Sequence, residues 1–380
     1  GCPGAGAMGM GERRFLRPWC GALCCLLAQR WCCAEAWGVD GHQRIAHIAA
    51  SLIPKRHKGQ VHALLKGDLV DLADWEQKMT REHPSTDILH WHRQEPAWSC
   101  SNTLGEKGHL VCDGHGAEGG SLFCALAYFF EHFAHAALLV QYRRPKEPIG
   151  TPKELPVLKN LTEVELTPAH YLRWLVMLLG DLHQPLHWLK PHSNHGRDIK
   201  VSWQGKQHDL LSFWEEYLPT QLIDLPNQQH LTRHFKSQQE HWRGGRRTPP
   251  ELFRRWAHEA AAAMCQHVIA PMEVVHSDGS RSVDELFFVD DALYNTWMNL
   301  TEEFTIRAGE RLAYVLLDIL QHRRSELGHK LGKASWNAHS LKRPHGFMAN
   351  AGIALVVIPT LLGGLWWHAG DLGRSSCLGG

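Results

Sequence analysis

The chain has almost no net charge and no evident internal repeat. Its 40 Lys and Arg residues balance 39 Asp and Glu residues, which leaves a formal net charge of +1. This balance excludes a surface that grips duplex phosphates through bulk positive charge. Charged residues make up 21% and hydrophobic residues 44% of the 380 residues, so the chain is not of the disordered type and can bury a large core.

Strand-like alternation of apolar and polar residues is also scarce. The best instance, DIKVSWQG (198–205), predicts a short hairpin. Apolar residues instead recur at helical spacings of three and four in the stretches 41–53, 170–183, 252–270 and 304–322. Pro and Gly concentrate at 144–156 and 244–250, which predicts loops there. The predicted fold class is mainly α, with a single large helical domain over 37–325.

The N-terminal stretch predicts a secretory signal peptide over residues 1–36. Arg13, Arg14 and Arg17 precede a short apolar run, and Ala34-Glu35-Ala36 fits the small-x-small cleavage rule. The alternative is an ordinary apolar tail.

Near the other end, FMANAGIALVVIPTLLGGLWW (347–367) contains no charged residue. About 20 apolar residues suffice to span a bilayer, so this stretch predicts a transmembrane helix, with a buried core helix as the alternative. Residues 326–346 are then a linker and 368–380 a short tail. Together the two ends predict a membrane-anchored domain on the exoplasmic side, at the cell surface or in a lumenal compartment.

The predicted body keeps four of the 11 Cys residues: Cys100, Cys112, Cys124 and Cys265. An even number in a secreted domain predicts two disulfides, whose pairing the spacing alone leaves open. Asn160-Leu-Thr and Asn299-Leu-Thr are candidate glycosylation sites.

The 28 His residues invite a metal hypothesis, because imidazole is the commonest transition-metal ligand in proteins. If cleavage follows Ala36, Trp37 gains a free α-amino group, which forms a chelate ring with its own carbonyl oxygen. His42 follows one helical turn later. Asp181 stands near the end of an apolar helix, where an unpaired carboxylate is unfavourable. Pro185 ends that helix, so the chain can return His187 to the same point.

Two further donors lie in short apolar settings, Asp74 in LADWEQ and His90 in ILHWH. Zinc accepts such mixed sets of His and Asp ligands.

These motifs resemble the secreted zinc-dependent single-strand-specific nucleases, the S1/P1 nuclease family, which includes membrane-anchored 3′-nucleotidase/nucleases of protozoa. WGVDGH behind a signal is similar to that family's mature start, and GDLHQPLH (180–187) to its most specific motif. The stretches 72–92, 255–265 and 306–313 follow in the expected order.

The resemblance implies a helical domain with up to three zinc ions in one cleft. It implies hydrolysis of P–O3′ bonds in single-stranded DNA or RNA and in 3′-nucleotides, that is, an endonuclease and phosphoric ester hydrolase. The implied metal ligands are Trp37, His42, Asp74, His90, Asp181, His187 and Glu215. Asp74 would also orient the attacking water, and Trp91 would stack a base while Lys78 contacts phosphate. The implied disulfides are Cys100–Cys265 and Cys112–Cys124, and no protein partner is predicted.

The chain departs from the family pattern at several ligand positions. Met177 stands where the family has a His, and DLLSFWEE (209–216) places Leu211 at a second ligand His and Glu215 at an Asp. His208 is a lower-ranked substitute ligand, with His183 and His92 further behind. The alternative function is therefore a catalytically impaired binding or adhesion protein with one structural zinc. A phospholipase C-like zinc hydrolase is a third option.

Overall fold

The computed structural model describes residues 37–339 except 93–99, 101–109, 111, 113–121, 135–148, 160, 162–165, 189–190, 246, 280 and 284–285. Its longer helices are α1 Gly38–Leu52, α2 Lys55–Leu65, α3 Leu72–Glu82, α4 Leu122–Phe133, α5 Pro156–Lys159, α6 Pro168–Asp181, α7 Leu210–Gln221, α8 Gln228–Gly244, α9 Pro249–Met272 and α10 Asp291–His339. Both α7 and α9 contain a π-helical segment with i→i+5 hydrogen bonds, at Phe213–Tyr217 and at Met264–Ile269. Short 3-10 helices cover Pro84–His90, Pro185–Trp188 and Pro191–Gly196.

All four helical stretches predicted from apolar spacing are helices in the structure, and the prediction of a mainly helical domain is confirmed. Capping explains where several begin. The helices α6 and α9 each start with a capping box, Thr167 with His170 and Thr248 with Glu251, followed by Pro in the first turn. The predicted helix at 304–322 is part of the longer α10, which begins after Asp290 and passes the predicted domain boundary at 325.

The predicted hairpin is present as strands β1 Lys200–Trp203 and β2 Lys206–Asp209, which pair antiparallel. Gln204 and Gly205 both have positive φ, as a two-residue hairpin turn requires. On its other side β1 pairs in parallel with β5 (Leu286–Phe288). The strands β3 (Glu273–Val275) and β4 (Arg281–Val283) form a separate antiparallel pair. These small sheets flank the helices that carry the core.

Aromatic side chains fill much of the core. The most apolar helix, α4, packs on α6, and Phe129 stacks on Trp174 with 5.7 Å between the ring centroids. A second aromatic group joins α8, α9 and α10 through edge contacts of Trp242 with Trp256 and Tyr314. Six Trp residues are fully buried: Trp37, Trp174, Trp188, Trp214, Trp256 and Trp297. Many of the Trp residues in this chain thus serve the core.

The helices α1 and α10 approach each other closely at Gly309. A Cβ atom at this position would lie 2.5 Å from Ile48 Cγ2 and 3.0 Å from the Ile45 carbonyl oxygen. Real Cβ atoms do not approach other atoms so closely, so only glycine allows this spacing. Gly309 lies in IRAGERLA, and the glycine of that motif therefore sets the distance between two core helices.

Two disulfides join the cysteines in the predicted pairing. Cys100–Cys265 closes a sequence separation of 165 residues, and Cys112–Cys124 closes one of 12. Asn299 is exposed on α10, while its partner Thr301 is buried and bonds the Trp297 carbonyl oxygen.

Several expectations lie outside the described residues: the signal at 1–36, the glycosylation site Asn160, the helix at 347–367 and the tail at 368–380. Among the helices that are described, none is both long enough and apolar enough to cross a membrane. The chain divides into two units, 1–330 and 331–380. Of the second unit, the structure describes residues 331–339, which are the end of α10.

A Gly309→Ala substitution should lower the free energy of unfolding by about 1–3 kcal/mol, because the added methyl group overpacks the contact with Ile48. The matched control is Gly59→Ala on the exposed side of α2, where a Cβ meets no atom within 4 Å. This change should raise the free energy of unfolding by about 0.5–1 kcal/mol. Urea unfolding of both variants checks the pair, and equal effects would contradict the packing argument.

The two disulfides should differ in their contribution to stability. Loop-closure entropy gives about 5 kcal/mol for a separation of 165 residues and about 3 kcal/mol for one of 12. Cys100→Ser with Cys265→Ser should therefore destabilise the protein more than Cys112→Ser with Cys124→Ser. Denaturant unfolding under non-reducing conditions measures both, and a larger loss from the second pair would refute this ranking.

Candidate metal centre

Asp181 is the last residue of α6, and its side chain is fully buried. The chain turns sharply after it, with Gln184 N–H donating to the Asp181 carbonyl oxygen at 2.9 Å. Pro185 then begins a short 3-10 helix that brings His187 back. The local sequence therefore folds as predicted, with a helix end, a turn and a returning His.

Two imidazoles contact the Asp181 carboxylate. His90 Nδ1–H donates to Oδ2 at 2.6 Å, and His42 Nε2 lies 3.1 Å from Oδ1. Burial favours the neutral acid, but the two His residues outweigh it and hold the pKa of Asp181 well below its usual range. Burial likewise lowers the pKa of His90, yet Asp181 and Glu76 raise it to about 9. Asp181 is thus an anion at neutral pH, with a protonated His90 beside it.

Glu76 is the carboxylate on the other side of His90. Its Oε1 lies 3.3 Å from His90 Nε2 and accepts a hydrogen bond from Thr80 at 3.2 Å. Burial raises the pKa of Glu76, and His90 offsets part of that increase. Glu76 is not among the ligands predicted from the sequence, which include Asp74 on the same helix.

Asp74 lies on another side of α3 from Glu76. It lies two residues before Glu76 on α3, and residues two apart on a helix point to nearly opposite sides. The buried positions of α3 are Leu72, Ala73, Glu76, Met79 and Thr80, whereas Asp74 is exposed. The helical period of these buried positions was the signal that could have identified Glu76.

His187 forms the second part of the cluster. It is fully buried, its Nδ1–H donates to the His90 carbonyl oxygen, and its Nε2 lies 3.6 Å from Glu215 Oε1. Burial lowers the pKa of His187 to about 4, so the ring is neutral at physiological pH. A neutral imidazole whose Nδ1–H is held by a carbonyl keeps its Nε2 lone pair for a metal.

Trp37 and Gly180 join α1 to this cluster. The Trp37 indole N–H donates to the Gly180 carbonyl oxygen at 3.0 Å, and the Trp37 side chain is fully buried. A Cβ atom on Gly180 would lie 2.9 Å from two atoms of the His42 ring. The glycine before Asp181 therefore leaves the space in which His42 meets the carboxylate.

The structure places other predicted residues away from the cluster or encloses them. Lys78 is exposed and lies 3.8 Å from Glu82. His208 sits on β2 near the rings of Phe213 and Tyr217. Trp91 is close to the cluster but is buried, with His187 stacked on it at 4.3 Å between centroids.

The two altered ligand positions have become part of the apolar core. Met177 lies one turn before Asp181 on α6, and Leu211 lies at the start of α7. Both are buried. The loss of a His at each position removes a donor from the set that the resemblance implies.

A buried network supports the cluster from the α10 side. Arg311 donates to His183 Nε2 at 2.9 Å, and His183 Nδ1–H donates to the Leu179 carbonyl oxygen at 2.7 Å. Arg311 also pairs with Glu259 and lies over the Trp256 ring. Burial and the neighbouring Arg311 keep the pKa of His183 well below its usual value. His183 is therefore a neutral structural residue at the end of α6, oriented by Arg311.

Across the residues that the structure describes, no three His, Cys, Asp or Glu side chains are arranged as a ready metal site. The chemistry of the donors nonetheless fits zinc. The buried atoms without a hydrogen-bond partner in this part of the chain include four of the cluster: Nε2 of His42, His90 and His187, and Oδ1 of Asp181. Buried polar atoms are normally satisfied, and imidazole nitrogen with carboxylate oxygen is a ligand set that zinc prefers.

The family model described as S1/P1 Nuclease matches residues 152–321, a range that includes Asp181, His187 and Glu215. Endonuclease 2 of Arabidopsis thaliana is 26% identical over 204 residues, which cover 51% of this chain and 60% of that protein. The match thus spans less than two thirds of the relative's length.

The range matched by the family model includes the motifs GDLHQPLH (180–187) and IRAGERLA (306–313). The resemblance of this chain to the S1/P1 nuclease family is therefore confirmed, with the family match lying on residues 152–321.

Proposed function

We propose that this protein is a zinc-dependent phosphoric ester hydrolase that cleaves P–O3′ bonds of single-stranded nucleic acid and of 3′-nucleotides. One observation carries the proposal: the buried Asp181 carboxylate contacts both His42 and His90 in a chain that resembles the S1/P1 nucleases. A helical domain gains no stability from burying this many ionisable groups together, because the desolvation of each is unfavourable. A functional site explains their presence.

Zinc would be held by two groups of donors, and its binding would release the extra proton of His90, because only a neutral imidazole has a lone pair for a metal. His42, Asp181, His90 and Glu76 form the first group, with Trp37 at the start of α1 beside them. His187 and Glu215 form the second. When bound, zinc supplies a water of lowered pKa and stabilises the attacking and leaving oxygens.

The side chains of the cluster have separate tasks in this reaction. Asp181 stays anionic and bridges the two imidazoles, which fixes their ring orientations. Glu76 would take the role that the resemblance implies for Asp74, a zinc ligand that also orients the attacking water, and its Oε1 lies at the cluster against His90. The Gly180 contact holds His42 against Asp181.

The alternative function, a binding or adhesion protein with one structural zinc, is supported by the residues at two positions. Met177 and Leu211 are buried core residues, so neither donates to a metal in this arrangement. Under this alternative, the remaining donors hold one structural zinc ion. Metal content therefore separates this alternative from the hydrolase.

The proposed setting is the secretory pathway, with the domain anchored on the exoplasmic side of a membrane. The two disulfides support an oxidising compartment. The substrate would then be extracellular or lumenal nucleic acid.

The purified full chain should bind two or three zinc ions and degrade single-stranded DNA or RNA, and a chelator should abolish the degradation. Elemental analysis and a cleavage assay measure the two properties. Asp181→Asn, which is nearly isosteric, should lower zinc content by at least one ion and activity by at least 100-fold, since it removes the shared carboxylate. Thermal unfolding of the metal-free protein is the folding control. One zinc ion and no cleavage in the unaltered chain would favour the binding protein.

The matched variants Glu76→Gln and Asp74→Asn test which carboxylate of α3 acts. We expect Glu76→Gln to reduce kcat by at least 100-fold, because its buried oxygen lies at the cluster. Asp74→Asn should change kcat by less than threefold, since that side chain is exposed. Steady-state kinetics on a short single-stranded oligonucleotide compares them. The reverse ranking would restore Asp74 as the catalytic carboxylate.

A further inference from the structure

Trp91 is an aromatic residue beside the cluster. Two His rings stack on it, and its side chain is buried. The ring of His187 stacks on it at 4.3 Å between centroids, and the ring of His195 stacks on it at 3.8 Å, each tilted by 21°. The Arg197 guanidinium lies 6.0 Å from the indole centroid. As a result only 4% of Trp91 is exposed.

The two His rings differ in their access to solvent. His187 is fully buried within the cluster, whereas His195 is partly exposed. His195 is therefore the outer of the two rings and separates Trp91 from solvent. A planar base approaching from outside would meet His195 first.

Trp91 itself is firmly held. Its indole N–H donates to Asp87 Oδ2 at 3.3 Å, and its carbonyl oxygen accepts from Leu122 N–H at 2.9 Å. The next residue, His92, donates its backbone N–H to the His187 carbonyl oxygen at 3.0 Å. Access to the indole must therefore come from movement of its outer neighbour.

The backbone that carries His195 is unusual. Asn194, His195 and Gly196 have φ values of 48°, 57° and 97°. The left-handed region is unfavourable for residues with a Cβ atom. His195 thus holds its ring against Trp91 from a backbone conformation that residues with a Cβ atom seldom adopt.

We infer that His195 is a gating and specificity residue: its imidazole occupies the stacking face of Trp91, and an unpaired base binds there only by displacing it. The inference rests on the proposed function, because it concerns the base of that same substrate. A base on a paired strand is already stacked and cannot make the exchange. The gate therefore favours unpaired bases. The apparent affinity of the protein for a base equals its intrinsic affinity multiplied by the fraction of molecules in which the His195 ring has moved away.

Removal of the His195 ring should tighten base binding. An aromatic pair contributes enough to change an equilibrium by about three- to tenfold. His195→Ala should thus lower the Kd for adenosine, a base without phosphate, by about that factor. His47→Ala, on the exposed side of α1, is the control and should leave the Kd unchanged.

The test is a double-mutant cycle measured by calorimetry with adenosine on the full-length protein. It compares the unaltered chain, His195→Ala, Trp91→Leu and the double variant, with Trp91→Phe as a milder change that keeps a stacking face. The gain from His195→Ala should persist with Phe at position 91 and vanish with Leu. Circular dichroism confirms that each variant is folded.

The outcomes separate the gate from the reaction. Weaker or unchanged adenosine binding in His195→Ala would overturn the gate, as would no detectable binding in any variant or a gain that survives Trp91→Leu. Cleavage of single strands by the unaltered chain would leave the proposed function standing in those cases. Conversely, suppose that His195→Ala tightens adenosine binding only when Trp91 is present, and that the unaltered chain cleaves no nucleic acid. That result would support the gate and contradict the proposed hydrolase function.

Discussion

The contact of the buried Asp181 carboxylate with His42 and His90 is the interaction on which the rest of this domain depends. It places an anion at the end of an apolar helix and balances it with imidazoles from two other elements, one on α1 and one in the 3-10 helix Pro84–His90. Removing any partner would leave a buried charge uncompensated, which is strongly destabilising. The contact therefore joins three separate segments of chain as well as forming the candidate site.

Much of the helical architecture could be predicted from the sequence. The apolar spacings in 41–53 and 304–322 and the turn at Gln204-Gly205 depend on local chemistry, and the structure follows them. The bend after Asp181 was also predictable, because Pro185 cannot continue a helix. These features need no knowledge of distant contacts.

Other features depend on tertiary contacts that a linear reading does not supply. Glu76 differs from Asp74 through the face of α3 that is buried, and that face is fixed by the elements packed on it. His195 encloses Trp91 although the two residues are about one hundred positions apart in the chain, and no local sequence pattern predicts this contact. Met177 and Leu211 are read correctly as core by hydrophobicity alone, although a family pattern sets donors at those positions.

The helix α1 has a structural consequence beyond the site itself. The His42 ring on α1 fits against Gly180. Six residues further along α1, the Ile48 side chain fits against Gly309. Each contact has room for a hydrogen atom and none for a methyl group, so the two glycines let α1 pack closely on two neighbouring helices. This close packing fixes where the His42 ring lies relative to Asp181, so the position of one candidate zinc ligand depends on two glycines outside α1.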